Sequence, residues 1–168
     1  MKQAAKKTKK RSGRSTTRRS SKGFEPKIVA FCCNWCSYPA ADGAGVSRLQ
    51  YPTNIKIVRV MCGGRVTPSF VLKAFELGAD GVLVATCHFE DCHYMFGARK
   101  AADVHKVTEK LTEMLGIEKE RLKLDWISSA EATKFARVAQ EFTDTIRRLG
   151  PSSIKKRLGA ISEAIENE

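Results

Sequence analysis

From residue 27 onward, short apolar runs alternate along the chain with longer stretches of helical periodicity. Three of the four short runs are apolar at consecutive positions, which is typical of strands buried on both faces of a parallel sheet. The predicted strands are Lys27–Phe31, Ile55–Met61, Gly81–Thr86 and Leu122–Ile127. The pattern therefore predicts an α/β domain in which strands and helices alternate.

The stretches between the strands carry start and stop signals for helices. Thr67 and Pro68 are a predicted N-cap and first helical residue, and Gly78 ends that helix. Ser128 and Glu131 form a capping box that opens a later helix. Three apolar stripes are expected to face the core: Phe70, Val71, Ala74 and Phe75; Val104, Val107, Leu111 and Leu115; and Phe135, Val138, Phe142 and Ile146.

Alternating strands and helices imply right-handed crossovers, and hence an open, mostly parallel sheet of about four strands with helices on both faces. We expect a flavodoxin-like strand order, 2-1-3-4. This domain is expected over residues 24–150. Residues 151–168 form a predicted helical extension, in which Ile154, Leu158, Ile161 and Ile165 align on one side.

The basic residues are concentrated at the start of the chain. Residues 1–23 hold ten of them and no acidic residue, and so account for most of the net charge of +12. This segment also lacks Leu, Ile, Val, Phe and Trp, which predicts a disordered tail that attracts nucleic acid only weakly and without sequence preference. No secretory signal or membrane-spanning run is recognised, so a cytoplasmic protein without membrane contact is expected.

All six cysteines follow predicted strands. Cys32, Cys33 and Cys36 come after the first strand, Cys62 after the second, and Cys87 and Cys92 after the third. The carboxyl ends of parallel strands meet at one edge of the sheet, where open α/β sheets build their sites. Because adjacent residues in an extended chain point to opposite faces, Cys32 is expected in the core while Cys33 faces the site.

The five remaining cysteines, Cys33, Cys36, Cys62, Cys87 and Cys92, are candidate metal ligands. A disulfide framework is disfavoured without a secretory signal. The spacing differs from the paired knuckles of a zinc ribbon and favours an iron–sulfur cluster, without deciding between [2Fe-2S] and [4Fe-4S]. Two alternatives remain: a zinc-stabilised nucleic-acid-binding module, and a dithiol oxidoreductase that uses Cys33 and Cys36.

Aromatic and imidazole side chains lie close to these cysteines in the sequence. We expect Trp35, Tyr38 and Tyr94 to form an apolar lid that keeps water from the site. His88 and His93 flank the last two cysteines and are weaker candidates for a ligand.

Four longer motifs resemble one known family, the delta (small iron–sulfur) subunit of methyl-viologen-reducing hydrogenase. They are FCCNWCSY at 31–38, GVSRLQYP at 45–52, RVMCGGRV at 59–66 and CHFEDCHY at 87–94, and DWIS at 125–128 extends the match. The resemblance covers about residues 27–150. The family usually has Pro-Gly where this chain has Phe89-Glu90.

The resemblance implies a non-catalytic electron-transfer subunit of methanogens and some anaerobic bacteria. It would carry one [2Fe-2S] cluster between a nickel–iron hydrogenase or formate dehydrogenase and the flavin subunit of heterodisulfide reductase. The five candidate cysteines recur in the family, whereas the position of Cys32 is often apolar. Four ligands are needed, and Cys62 is the first that we would leave out, because the two local pairs already form a set with little loop-closure cost.

Overall fold

The computed structural model describes residues 23–155, and the expectations for the basic tail and for most of the extension after residue 151 fall outside this range. The elements are β1 (Ile28–Cys33), α1 (Ser37–Val46), β2 (Ile55–Val60), α2 (Pro68–Glu76), β3 (Gly81–Thr86), α3 (Gly97–Met114), β4 (Leu122–Trp126) and α4 (Ala132–Leu149). Short 3-10 turns cover Gly63–Arg65 and Lys119–Arg121. The predicted alternation of strands and helices is therefore confirmed.

All four strands pair in parallel, in the order β2-β1-β3-β4. The predicted strand order is confirmed. Strand β1 extends to Cys33, two residues beyond the prediction, and Cys32 lies opposite Arg59 of β2 and Ala85 of β3. The carboxyl ends of β1, β2 and β3 therefore lie side by side.

The sheet has a core on each face. Helices α1 and α4 pack together on one face, where Phe135 and Phe142 are buried against β1 and β3. Helices α2 and α3 cover the other face, where Phe75 and Val71 pack against Phe31 and Val84. Among the helices of residues 23–155, none is long and apolar enough to cross a membrane.

The predicted inward stripes are confirmed for α4 and only partly for the other helices. Phe70 of α2 is exposed, and so are Val107 of α3 and Leu115, which directly follows α3. Helix α3 instead buries Thr108 and Thr112, whose hydroxyl groups donate to backbone carbonyls one turn earlier. The prediction for α3 was wrong because a threonine that satisfies its own hydroxyl in this way can face the core like a small apolar residue.

Arg121 is fully buried below the amino-terminal edge of the sheet. Its Nη1 donates to the carbonyls of Asp80 (3.0 Å) and Gly150 (2.8 Å), and its Nε donates to Glu118 Oε2 at 2.7 Å. These bonds tie the starts of β3 and β4 to the end of α4 at the edge opposite the cysteines.

Candidate metal centre

Three strand ends and two loops bring five cysteines to one edge of the sheet. Cys33 is the last residue of β1, Cys62 lies two residues after β2, and Cys87 directly follows β3. Cys36 lies in the turn before α1, and Cys92 lies in the loop between β3 and α3. The convergence expected from parallel strand topology is present in the structure.

Cys33, Cys36 and Cys87 form the tightest group. Their sulfur atoms all lie within 4.8 Å of one another, and all three residues are buried. Cys33 Sγ and Cys87 Sγ are 3.7 Å apart. Two thiolates on one tetrahedral metal ion are about 3.8 Å apart, given metal–sulfur bonds of about 2.3 Å. The spacing thus fits tetrahedral thiolate ligation.

Cys92 and Cys62 lie next to this group. Cys92 belongs to the same buried cluster as the three thiols above, and its sulfur accepts a hydrogen bond from the Ala98 backbone N–H at 3.3 Å. Cys62 is only partly buried and lines an open cavity of about 670 Å³. Of the five candidates, four thiols are therefore shielded from water and the fifth borders solvent.

Cys32 lies on the opposite face of the sheet, among the apolar side chains between the sheet and helices α1 and α4. Burial raises the pKa of its thiol to about 12. A neutral thiol in an apolar core neither binds metal nor reacts readily. The strand-alternation argument that separated Cys32 from Cys33 is confirmed.

The pKa of the Cys33 thiol is lowered by its contacts with neighbouring groups. Hydrogen bonding with Cys36 and Cys87 contributes most, and the backbone N–H groups of Trp35 and Gly63 add to this effect. The pKa values of Cys36 and Cys87 are raised by the same contact with Cys33. Metal cations can replace the protons that these thiols retain, because thiolates are the form that binds metal.

Ser37, which the sequence reasoning did not single out, fixes the loop that carries Cys33 and Cys36. Its buried hydroxyl accepts the backbone N–H of Cys33 at 2.8 Å and donates to the carbonyl of Ala85 in β3 at 2.7 Å. These two bonds hold the start of α1 against the central strand. A serine directly after the second cysteine of a Cys-x-x-Cys loop was the available signal.

Gly97 provides room for two sulfur atoms. A Cβ atom at this position would overlap Cys62 Sγ and would lie 3.2 Å from Cys92 Sγ. The backbone N–H groups of Gly63 and Gly64 donate to Cys33 and Cys62. The N–H of Ala98 donates to Cys92, and Gly97 itself supplies space.

A small aromatic cluster covers the loops of the site. The Trp35 ring stacks on His93 with centroids 3.9 Å apart, and its Nε1 donates to Tyr94 Oη at 3.2 Å. The expectation for Tyr38 was wrong, because it packs against the core of the other face and lies under the Arg59 guanidinium. His88 Nε2 lies 2.8 Å from Glu131 Oε2. Both imidazoles therefore have partners other than the thiol group.

The fold and site together define a parallel α/β domain with a buried thiol centre at the carboxyl edge of its sheet, and known proteins are similar to this chain in sequence. The family model described as methyl-viologen-reducing hydrogenase, delta subunit, matches residues 28–150. The chain belongs to this family. The resemblance seen in its motifs is thus confirmed.

Several relatives align over most of this chain. The iron–sulfur subunit of an F420-non-reducing hydrogenase from Methanococcus voltae is 49% identical over 143 residues, which are 85% of this chain and 99% of the relative. The corresponding protein from Archaeoglobus profundus is 52% identical over 136 residues, or 81% and 99% of the two chains. One subunit of a ferredoxin/F420H2-dependent CoB-CoM heterodisulfide reductase from Methanosarcina acetivorans is 46% identical over 126 residues, 75% of this chain but only 16% of that protein.

Proposed function

We propose that this chain is an electron-transfer subunit that holds one [2Fe-2S] cluster at the carboxyl edge of its sheet. The observation that carries the proposal is the buried group of Cys33, Cys36 and Cys87, with Cys92 in the same cluster. Four thiolates complete the ligand set of a [2Fe-2S] centre. The relatives named above as iron–sulfur subunits support an iron–sulfur cofactor, and the [2Fe-2S] type is our proposal.

We assign Cys33, Cys36, Cys87 and Cys92 as the ligands, and leave Cys62 outside the set. Burial supports this choice, because the four assigned thiols are shielded while Cys62 borders an open cavity. Cys62 lies near Cys92, since a Cβ atom at Gly97 would meet both sulfur atoms. Substitution of Cys62 and of Cys92 therefore tests which of the two is the fourth ligand.

The surrounding residues suit an electron carrier. An iron–sulfur cluster accepts and releases one electron at a time, and N–H groups that point at its sulfur atoms stabilise the more negative reduced state. The N–H groups of Gly63 and Ala98 point at the sulfur atoms of Cys33 and Cys92. Trp35 and Tyr94 lie over the loops and limit the access of water.

We place this chain between a nickel–iron hydrogenase or formate dehydrogenase, which supplies electrons, and the flavin subunit of heterodisulfide reductase, which receives them. In two Methanosarcina proteins named as heterodisulfide reductase subunits, a region similar to this chain makes up 16% and 17% of the length. In those relatives the similar region is part of a longer heterodisulfide reductase subunit. This supports a position next to heterodisulfide reductase for the separate chain. The hydrogenase subunits among the relatives support the donor side.

Metal analysis of protein purified without oxygen tests the cofactor. We expect about two iron and about two acid-labile sulfide per chain, and a rhombic electron paramagnetic resonance signal after reduction. About four iron per chain would contradict the cluster type. Stoichiometric zinc without sulfide would favour the zinc-stabilised module instead.

Activity assays test the role. The isolated chain should neither oxidise hydrogen or formate nor reduce disulfides, and it should co-purify with larger redox subunits. Disulfide reductase activity in iron-free protein that Cys36→Ser abolishes would favour the dithiol oxidoreductase.

A further inference from the structure

An apolar groove opens on the face of the sheet that α2 covers only in part. The groove has a volume of about 720 Å³ and runs between the edge strand β2 and helix α2. Apolar side chains of β2, of α2 and of the residue after α2 line it and remain exposed: Val58 by 41%, Phe70 by 43% and Leu77 by 74%. Such exposed apolar side chains, gathered in one groove, are candidates for burial by another segment.

The last described residues of the chain bind Asp80, which also bonds one residue of the groove lining. The carboxylate of buried Asp80 accepts the backbone N–H of Lys27, which lines the groove, at 2.9 Å. The same carboxylate accepts the backbone N–H of Ser152 at 3.1 Å and pairs with Lys155 Nζ at 3.2 Å. Ile154 packs against the core on the groove's face of the sheet. Asp80 thus links Ser152 and Lys155 to Lys27 in the lining of the groove.

The residues that follow have the length and pattern to fill it. Residues 156–168 would span about 20 Å as a helix. The six residues of β2 along the groove span a similar length, about 20 Å. Leu158, Ile161 and Ile165 continue the helical stripe that begins at the partly buried Ile154.

Charge also favours this placement. The groove rim carries Lys27, Lys56 and Lys73 and a single acidic residue, Glu25, which pairs with Arg147. The segment begins with two basic residues and carries its acids later, at positions 163, 166 and 168, where they can complement the lysines of the rim. The acidic end would lie toward Lys73 and Phe70 at the far end of the groove.

We propose that residues 156–168 dock in cis as an amphipathic helix in the groove between β2 and α2. Leu158, Ile161 and Ile165 would form the apolar side of that helix. The docked segment covers the outer face of β2 and ends at Phe70, which also lines the cavity beside Cys62. An apolar surface of the sheet is then closed by the chain itself rather than by a partner.

Hydrogen–deuterium exchange of the full chain tests this docking. Removing residues 156–168 should speed exchange about tenfold in residues 54–60 and 70–79, and leave β4 unchanged. The full-length double variant Leu158→Asp with Ile161→Asp should give the same result, which covers the case in which the truncated chain fails to fold.

The matched control is Ala160→Asp with Asn167→Asp. It adds the same two charges on the opposite side of the predicted helix and should leave exchange unchanged. Leu77→Asp, at an exposed groove position, should mimic the truncation.

Three outcomes would overturn the proposal. Equal exchange in the full and truncated chains would mean that the segment does not cover the groove. Protection that grows with protein concentration, together with a dimeric mass, would assign the groove to a second copy of the chain. Protection that requires added hydrogenase or heterodisulfide reductase subunits would assign it to a partner.

Discussion

Cys33 Sγ lies 3.7 Å from Cys87 Sγ, although 54 positions separate the two residues in the chain. Their contact follows from the sheet, because β1 and β3 pair in parallel and end together. Cys33 is the last residue of the first strand, and Cys87 is the next residue after the other. Assembly of the thiol group therefore requires the paired central strands, and metal binding is expected to stabilise the folded sheet.

Single serine substitutions should divide the six cysteines into two classes. Cys33→Ser, Cys36→Ser, Cys87→Ser and Cys92→Ser should each lose or severely destabilise the cluster, because a hydroxyl oxygen is a poor substitute for a soft thiolate. Cys32→Ser should leave the visible spectrum intact, since its side chain lies in the core on the other face. Iron content and visible absorbance of anaerobically purified protein measure the effect.

Serine substitutions of Cys62 and Cys92 identify the fourth ligand. We expect Cys62→Ser to keep the cluster and Cys92→Ser to lose it. The reverse result would make Cys62 the ligand, and would leave the convergence of the five thiols unaffected.

Gly97→Ala should reduce cluster content to a small fraction of the normal level. The added Cβ would overlap Cys62 Sγ and crowd Cys92 Sγ, so one sulfur atom or the start of α3 must move. Gly45→Ala is the matched control, because its Cβ would meet no atom within 4 Å. Iron and sulfide assays of both variants, with circular dichroism to verify folding, measure the difference. Normal cluster content in Gly97→Ala would show that the loop relaxes without disturbing the ligands.

The strands and their order could be predicted because each rests on local physics. Runs of apolar residues are buried on both faces, and right-handed crossovers leave few possible orders for four parallel strands. The same reasoning separated Cys32 from Cys33, since side chains alternate along a strand. Topology then brought together cysteines that are distant in the sequence.

The incorrect predictions concern side chains whose neighbours belong to a different helix, strand or loop. Thr112 of α3 is buried and Val107 is exposed, although valine is the more apolar of the two residues. The steric role of Gly97 depends on sulfur atoms from two other loops, and the position of Tyr38 depends on Arg59 of β2. Such contacts have no signature in the local pattern of apolar and polar residues.

Arg121→Met should destabilise the fold without changing the cluster. The substitution keeps most of the side-chain volume but removes charge-assisted hydrogen bonds to the carbonyls of Asp80 and Gly150, which together contribute about 3 kcal/mol. Chemical denaturation monitored by circular dichroism gives the free energy of unfolding. As a control, Arg137→Met removes an exposed ion pair with Glu141 and should change the free energy of unfolding by less than about 0.5 kcal/mol. A loss of cluster in folded Arg121→Met would contradict the separation between the two edges of the sheet.

Deleting residues 1–23 should abolish weak nucleic-acid binding and leave the cluster unchanged. This segment holds ten cations and no acidic residue, whereas the rest of the chain is close to neutral. The logarithm of its association constant for duplex DNA or RNA should fall linearly with the logarithm of salt concentration, because binding releases counterions from the phosphates. Fluorescence anisotropy with two unrelated sequences measures the affinity, and iron content measures the cluster.

Salt-insensitive binding of only one sequence would show specific recognition. Loss of co-purifying redox subunits from the truncated chain, with its iron retained, would instead assign the tail to docking on an acidic partner.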